Sequence, residues 1–297
     1  DEPSIQATSA AVSLAIGFSG GTGISLSGGG ADALNTVLGD VLSTLDSVAL
    51  TTTGAIGITA SSDQKLKAGV GAGAGAGSGS FSPSGGSVAV GAVKTRNLIG
   101  VDALDGTAKA QVRSAVTNSN LSSGADLSVT SAATSSYDTL AVPVSVALTT
   151  GQVSGAFSGA FNDSRIAQAI ASDTSGSTLV AGNDLIITAS GDSSVTSAKT
   201  DGGALAATFN PSGVSLAVGA AQNNNTIDNS ITVTIDDGAA PGSAAINRSA
   251  LQAQRHLIAG ATDARSDMSD VQAIPVAAAL GGGLADRKST RLNSSHA

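Results

Sequence analysis

Histidine and cysteine, the side chains that most often carry nucleophilic or metal chemistry, are scarce in this chain. Its 297 residues include two His and no Cys, which excludes a disulfide framework and Cys-based metal sites. His/Ser/Asp catalysis would rest on His256, which lies between Arg255 and Leu257 in a polar stretch. A surface His is the stronger interpretation of that position. The sequence therefore predicts no catalytic, cofactor-binding or metal-binding residue, and no enzymatic activity.

Carboxylates are the other groups that could do acid–base work. Of the 22 acidic residues only Glu2 is a Glu, and Asp is typical of turns because its side chain bonds its own backbone. Asp precedes Gly at Asp105-Gly106, at Asp201-Gly202 and in Asp236-Asp237-Gly238. We interpret these motifs as turns. Clustered Asp residues, as in carbohydrate-active β-helix enzymes, are the alternative interpretation, and the calcium-binding nonapeptide and EF-hand loop are both missing.

Other polar motifs are interpreted as structural. The run Asn223–Asn225 is expected to form a side-chain ladder at a corner of the repeats or to adopt left-handed turns. Thr232 and Thr234 resemble an ice-binding Thr pair, but no series of such pairs recurs along the chain. Sequons arise by chance in so Ser- and Asn-rich a sequence, and they occur at Asn120, Asn162, Asn224 and Asn247.

Charge and hydropathy exclude two classes of partner. The net charge is −8 without a basic stripe, which argues against nucleic acid and against an anionic membrane surface. No run of eighteen apolar residues occurs, so we expect no membrane-spanning helix. Acidic, Cys-free chains with small side chains are compatible with export.

The elements that position these side chains repeat along the chain. FSPSGGSVAVGA from Phe81 returns as FNPSGVSLAVGA from Phe209, a shift of 209 − 81 = 128 residues. An apolar-x-apolar-Thr motif recurs with Ile56, Leu127 and Leu185 at equivalent positions, 71 and 58 residues apart. The repeating unit is therefore about sixty to seventy residues long, and such repeats are typical of a solenoid in which stacked neighbours share a core.

Composition and periodicity indicate that this solenoid is all-β. Aromatic residues make up 2% of the chain, so burial of Ala and Val must stabilise a slender repeated core. Short alternating stretches separated by Gly, Asn, Asp and Ser are typical of strands. The Gly69–Gly79 segment is predicted to be a strand with only Gly on one side; the alternative is a flexible linker. Gly155 and Gly159 are expected to point inward. The predicted units are 1–53, 54–123, 124–181 and 182–285.

One segment does not follow the β pattern. Within 31–48, Leu34, Leu38, Leu42 and Leu45 recur with the spacing of one helix face. Equivalent positions in the other units, at Asn97 and Arg165, are predicted to be short strands. The pattern predicts an amphipathic helix over 31–48.

The two ends differ from the rest of the chain. The first residue is Asp1 rather than Met, and no signal peptide is visible, so we expect an interior fragment of a longer protein. The stretch DRKSTRLNSSH at 286–296 resembles a translated sequencing adapter and carries three of the fourteen basic residues. Residues 286–297 are therefore expected to be a non-native tail.

The repeat motifs resemble the passengers of bacterial filamentous surface adhesins, including filamentous-haemagglutinin-like proteins, leukotoxin-type filamentous adhesins and autotransporter passengers. The resemblance is carried by GNDLIITAS from Gly182, VSLAVGAAQNNNTIDNSITVTI from Val214 and GGGADALNTVLG from Gly28. It implies a right-handed parallel β-solenoid at the cell surface, a stalk that presents binding regions to a host-cell, glycan or matrix surface. The alternatives are a carbohydrate-active β-helix enzyme and a surface-layer or biofilm matrix protein that self-associates, with solenoid ends as the expected contacts.

Overall fold

The computed structural model describes residues 4–19, 23–80, 84–236, 249–279 and 284–296, and these form a parallel β-solenoid without a helix. Each complete coil contributes one strand to each of four sheets, which we name A to D in chain order. Sheets A and B each contain five strands, and sheets C and D each contain four. The prediction of an all-β, parallel, repetitive solenoid is confirmed.

The strands follow the same order in every coil. Coil 1 contains β1 (Ser4–Ser19), β2 (Ile24–Val37), β3 (Val41–Asp46) and β4 (Ala49–Thr52). Coil 2 contains β5 (Ile56–Ser80), β6 (Gly86–Ile99), β7 (Ala110–Thr117) and β8 (Asn120–Ser123). Coil 3 contains β9 (Leu127–Thr149), β10 (Val153–Ile166), β11 (Gln168–Ser175) and β12 (Thr178–Ala181). Coil 4 contains β13 (Leu185–Thr208), β14 (Val214–Ile227), β15 (Ser230–Asp236) and β16 (Ala250–Ala253), and coil 5 contains β17 (Leu257–Ala279) and β18 (Leu284–His296).

The register between coils explains the repeat period. Ile56 pairs with Leu127, Leu127 with Leu185, and Leu185 with Leu257. These partners are separated by 71, 58 and 72 residues, and every sheet is paired in parallel. The ranges predicted as the second and third units, 54–123 and 124–181, enclose the strands of coils 2 and 3. The range predicted as the fourth, 182–285, holds coil 4 and also β17.

The interior changes character along sheet A. The first residues of its strands pack against sheets C and D through larger side chains such as Ile58, Val116 and Leu179. The later residues pack against sheet B through an almost pure alanine layer, with Ala74, Ala156 and Ala204 among its members. Sheets A and B therefore form a thin blade whose inner side chains are mostly small, with Ala residues beside buried Ser residues such as Ser87 and Ser154.

Glycines mark the places where the two sheets of the blade approach most closely. A Cβ on Gly29 would lie 2.6 Å from the carbonyl oxygen of Gly73, and one on Gly202 would lie 2.7 Å from that of Ala220. Asp201-Gly202 was predicted to be a turn, and this prediction is wrong, because both residues lie within β13. Gly202 is required by the opposing backbone rather than by a turn conformation.

A buried polar ladder crosses the interior beside the alanine layer. Asn162 and Asn223 pair in register and Nδ2 of Asn162 donates to Oδ1 of Asn223. Nδ2 of Asn35 donates to Oδ1 of Asn97 over 2.9 Å on an adjacent row. The ladder interpretation of the Asn run is thus confirmed for Asn223 and Asn225, which point inward, while Asn224 between them points outward. Its expected position at a corner is wrong, because all three residues lie within β14.

The helix predicted over 31–48 is wrong, because this segment forms the end of β2 and all of β3. Val37, Val41 and Leu45 point inward and pair with Ile99, Val112 and Val116 of coil 2. These apolar residues do not show the two-residue period of a strand, because other inward positions are polar. Asn35 lies two residues before Val37, and Ser43 lies between Val41 and Leu45. Leu34, Leu38 and Leu42, which completed the supposed helix face, are exposed.

Two glycine predictions have different outcomes. The Gly69–Gly79 segment is part of strand β5, as predicted. Its Ala residues point inward, and its glycines as far as Gly77 point outward. Gly155 and Gly159 were expected to point inward, but the inward residues of β10 are Ser154, Ala156 and Ser158. The two glycines lie on the outer face beneath aromatic rings, since a Cβ on Gly159 would lie 3.0 Å from Cε2 of Phe161.

Candidate functional site

The catalytic candidate of the sequence, His256, lies in the exposed turn before β17. Its Nδ1 atom is 2.8 Å from Oδ1 of Asp184, one coil away, and Nε of Arg255 is 3.8 Å from the same oxygen. The side-chain hydrogen bond from His256 is the main cause that lowers the pKa of Asp184. The imidazole is 62% exposed, so the pair connects two successive turns on the surface rather than lining a cleft.

The Asp residues of the predicted turns do not converge. Asp105 lies in the loop between β6 and β7, Asp201 points outward from β13 beside Lys199, and Asp236 ends β15. Asp237 and Gly238 lie outside the described residues. Within the described ranges, no group of three or more His, Cys, Asp or Glu side chains could hold a metal ion.

The remaining polar motifs are also dispersed. Thr232 and Thr234 point outward from β15, but their register neighbours Ala171 and Asp173 interrupt any row of Thr across the coils. The sequon at Asn162 is fully buried, whereas Asn120 is exposed, and Asn247 lies outside the described residues.

A cluster of charged side chains holds the loop 100–109 at the corner between sheets B and C through hydrogen bonds and ion pairs. Residues 100–109 replace the single residue or pair of residues that makes this corner in coils 3 and 4. Arg165 of coil 3 donates from Nη1 to the carbonyl oxygens of Leu104 and Gly106, and from Nη2 to Oδ2 of Asp228. Lys109 donates to the carbonyl oxygen of Asp228 over 2.6 Å. This cluster fixes the loop across three coils.

Opposing effects act on the carboxylate of that cluster. Desolvation by burial raises the pKa of Asp228, but hydrogen bonds and positive charge from Lys109 and Arg165 outweigh it, so that the pKa is lowered. Both cationic groups are mostly buried, with 19% and 11% of their side chains exposed. The arrangement is that of a structural ion-pair network, since Arg165 is bound to the loop and to Asp228, and Lys109 of the loop is bound to Asp228.

The most unusual surface is the outer face of sheet A near the ends of its strands. Three successive outward rows cross all five coils without a polar side chain. The rows are Val12–Gly73–Val144–Gly203–Ile274, Leu14–Gly75–Val146–Leu205–Val276 and Ile16–Gly77–Leu148–Ala207–Ala278. We call these fifteen residues the A face. Most of its large side chains are exposed, and Phe18 at its border is 84% exposed.

The A face is not smooth. Coil 2 contributes only glycines, which leave a channel between the side chains of coil 1 and those of coil 3. The channel and its surroundings form an apolar depression of about 380 Å³, lined among others by Leu14, Val146 and Phe209. Contiguous apolar surface of this kind is typical of an interaction site.

The opposite side of the blade is also apolar. Ile24, Val90, Val153, Phe161 and Val214 are exposed on the outer face of sheet B. Toward the rest of the solenoid both faces become charged. On sheet B this change is marked by ion pairs of Arg96 with Asp32 and of Lys94 with Asp163.

Sequence reasoning missed both faces, although a signal was present. In an ordinary half-buried strand, the side chains on one of its two sides are polar. In 140–148, however, the outward side chains of Leu140, Val142, Val144, Val146 and Leu148 are all apolar. The same holds for the all-glycine alternation in 69–79. Comparing the side chains on the two sides of each predicted strand would have located the A face.

No helix long and apolar enough to span a membrane occurs in the described part of the chain. Comparisons with known proteins give no relative: no protein-family model, no curated protein and no solved structure matches the chain.

Proposed function

We propose that this chain is a structural and adhesive segment of a large exported bacterial surface protein, acting without enzymatic activity. The observation that supports this most is the parallel pairing of sheet A through five coils, which stays in register except for one bulge after Val195 of β13. Backbone ladders of this length hold successive coils at a spacing of about 4.8 Å. A stack of this kind has an axis along which it can extend and carry load.

The interior supports a mechanical role. Alanine layers and ladders of Asn, Ser and Thr contribute little per residue, so each coil is stabilised mainly by its neighbours. Rigidity then depends on continuation of the array rather than on one large core. A stalk benefits from this arrangement, because it can be lengthened without redesign of its centre.

The surface supports a presenting role. The B–C corner accommodates the loop 100–109 without loss of register in the neighbouring coils. Loops held on a rigid scaffold are the common location of binding residues. In this proposal the partner is a host-cell, glycan or matrix surface, and the location is extracellular, at the bacterial surface.

Force spectroscopy combined with binding assays tests the proposal. Pulling the purified 297-residue chain from its ends should release it in steps of one coil, about 20–25 nm for sixty to seventy residues. The folded, labelled chain should bind at least one member of a panel of glycans, matrix proteins and cultured cells, and the heat-unfolded chain serves as control. Release of reducing sugar from a polysaccharide panel, or binding to no surface, would contradict it.

A second candidate, a surface-layer or biofilm matrix protein that binds its own kind, is favoured by the apolar faces of the blade. A stalk surrounded by water has no need of a patch of exposed apolar side chains such as Val12, Leu14, Ile16 and Phe18, and such patches are typical of contact surfaces between proteins.

A further inference from the structure

We infer that the A face is the contact surface for a second copy of this chain, packed face to face about a two-fold axis. This inference does not depend on where the protein is located or on whether it binds a host surface. It rests on the relief, the composition and the area of the A face.

The relief of the A face is self-complementary. Consider a two-fold axis that lies in the interface, runs along the strands and passes between coils 2 and 3. Rotation about this axis keeps every residue at its level along the strands, and it places coil 3 of one copy over coil 2 of the other. Since Gly73, Gly75 and Gly77 are register partners of Val144, Val146 and Leu148, each apolar side chain of coil 3 then lies over a glycine of the partner copy.

The same rotation places coil 4 over coil 1. Val12 then lies opposite Gly203, and Ile16 lies opposite Ala207, because these residues share rows of the A face. Only Leu14 and Leu205 bring two large side chains together. Alternation of large and small residues across facing positions is what lets two sheets interdigitate at the usual separation of about 10 Å.

The glycine channel is open at Gly73 and Gly77 and is covered by a flexible side chain at Gly75. A Cβ on Gly77 would meet no atom within 4 Å, and one on Gly73 would meet only the methyl groups of Val12 at 3.8 Å, whereas one on Gly75 would lie 3.0 Å from Cδ1 of Leu14. Glycine is disfavoured in strand interiors unless another backbone or a ligand approaches closely. A row of outward glycines beside open space therefore indicates a partner that is not part of this chain's own coil.

The area is sufficient for a weak, specific pair. Four overlapping strands cover about 19 Å, and the nine residues from Ala10 to Phe18 cover about 30 Å along the strand. This length includes one row beyond the A face at each end, and the row of Ala10 brings Asp201 to the border of the interface. The two faces then bury about 1,100 Å² in total, just above the lower limit for a biological interface. We expect a concentration-dependent dimer with a dissociation constant in the micromolar range.

Lipid is a less suitable occupant. The ion pair of Lys199 with Asp201 borders the A face, and charged side chains are costly to bury in hydrocarbon. The outer face of sheet B lacks the open channel, since its Gly155 and Gly159 are covered by the rings of Phe157 and Phe161.

Sedimentation velocity of the full 297-residue chain tests the inference. The unmodified chain should pass from monomer to dimer between about 1 µM and 0.5 mM. Leu148→Lys should abolish the dimer in this range, because it would bury an unpaired charge opposite Gly77 of the partner copy. Thr134→Lys is the matched control: it lies on the same strand and the same side of sheet A, in the polar half, and should leave dimerisation unchanged.

Gly77→Val provides a test without an added charge. Valine is favoured in strands and finds open space at this position, so thermal stability should be retained while the filled channel raises the dissociation constant at least about 10-fold. A chain that stays monomeric throughout, or a dimer that Leu148→Lys leaves intact, would overturn the inference. So would a dimer lost with Val90→Lys on sheet B but unaffected by Leu148→Lys, or binding to neutral phosphatidylcholine vesicles in place of dimerisation.

Discussion

Asn162 and Asn223 lie one above the other inside the solenoid, and Nδ2 of Asn162 is 2.5 Å from Oδ1 of Asn223. Asn162 also donates to Oδ1 of Asn225 and accepts hydrogen bonds from Thr95 and Ser164. All five side chains are buried. Together with Thr95, the pair thus connects coils 2, 3 and 4 through side chains that lie between two apolar clusters.

Replacing Asn162 with Ala should lower the free energy of unfolding by about 2–4 kcal/mol, since several buried polar groups would lose their partner at once. Urea denaturation followed by circular dichroism measures this change. Gln222→Ala is the control, because Gln222 points outward from the same sheet, and its effect should stay within about 0.5 kcal/mol. Equal effects of the two substitutions would show that the ladder does not stabilise the fold.

Gly100 should not tolerate a side chain. Its φ of +78° is in the left-handed region, and a Cβ would lie 2.1 Å from the carbonyl oxygen of Ala167. We expect Gly100→Ala to cost more than about 2 kcal/mol. Gly39 lies at the same corner in coil 1, where a Cβ would meet nothing within 4 Å, so Gly39→Ala should be neutral or stabilising by up to about 1 kcal/mol. Thermal denaturation of both variants measures whether Gly100→Ala lowers the stability of the fold while Gly39→Ala leaves it unchanged or raises it.

Tyr137 should report on the interior during alkaline titration. Burial, reinforced by the negative charge of Asp267, raises the pKa of this phenol well above its usual range. Because the folded-state pKa is raised, the stability it contributes is complete below the unfolded pKa of about 10 and is lost as pH rises through the folded value. The chain has one Tyr and no Trp, so ultraviolet absorbance of tyrosinate measures this residue directly. Ionisation near pH 10 in the folded chain would contradict its burial.

Asp184 should depend on His256 for its acidity. The hydrogen bond between them lowers the pKa of Asp184, so His256→Ala should raise this pKa toward the ordinary value of an Asp carboxyl group. The contribution of the depressed pKa to stability is present above the unfolded value and is lost as pH falls through the folded one. Carbon-detected NMR titration of the carboxyl group measures the shift. Arg255→Ala should have the smaller effect, and the reverse order would contradict the assigned cause.

The repeat and the strand content could be predicted because equivalent residues such as Ile56, Leu127 and Leu185 stack in register and must therefore be alike. The supposed helix could not be recognised as two strands, because inward Asn35 and Ser43 conceal the two-residue period. Gly202 was mistaken for a turn residue because the close approach of a second backbone leaves no local mark in the sequence. The A face could have been located from the sequence, because the alternate residues from Leu140 to Leu148 are all apolar; that they point outward is decided by coils distant in the chain.

The B–C corner has a different length in every complete coil, with residues 38–40, 100–109, 167 and 228–229 making the same crossing. The flanking strands keep their pairing regardless of this length. Foreign peptides could accordingly be grafted here for epitope display without disturbing the scaffold. Insertions and deletions among natural variants should accordingly be more frequent at this corner than within the paired strands.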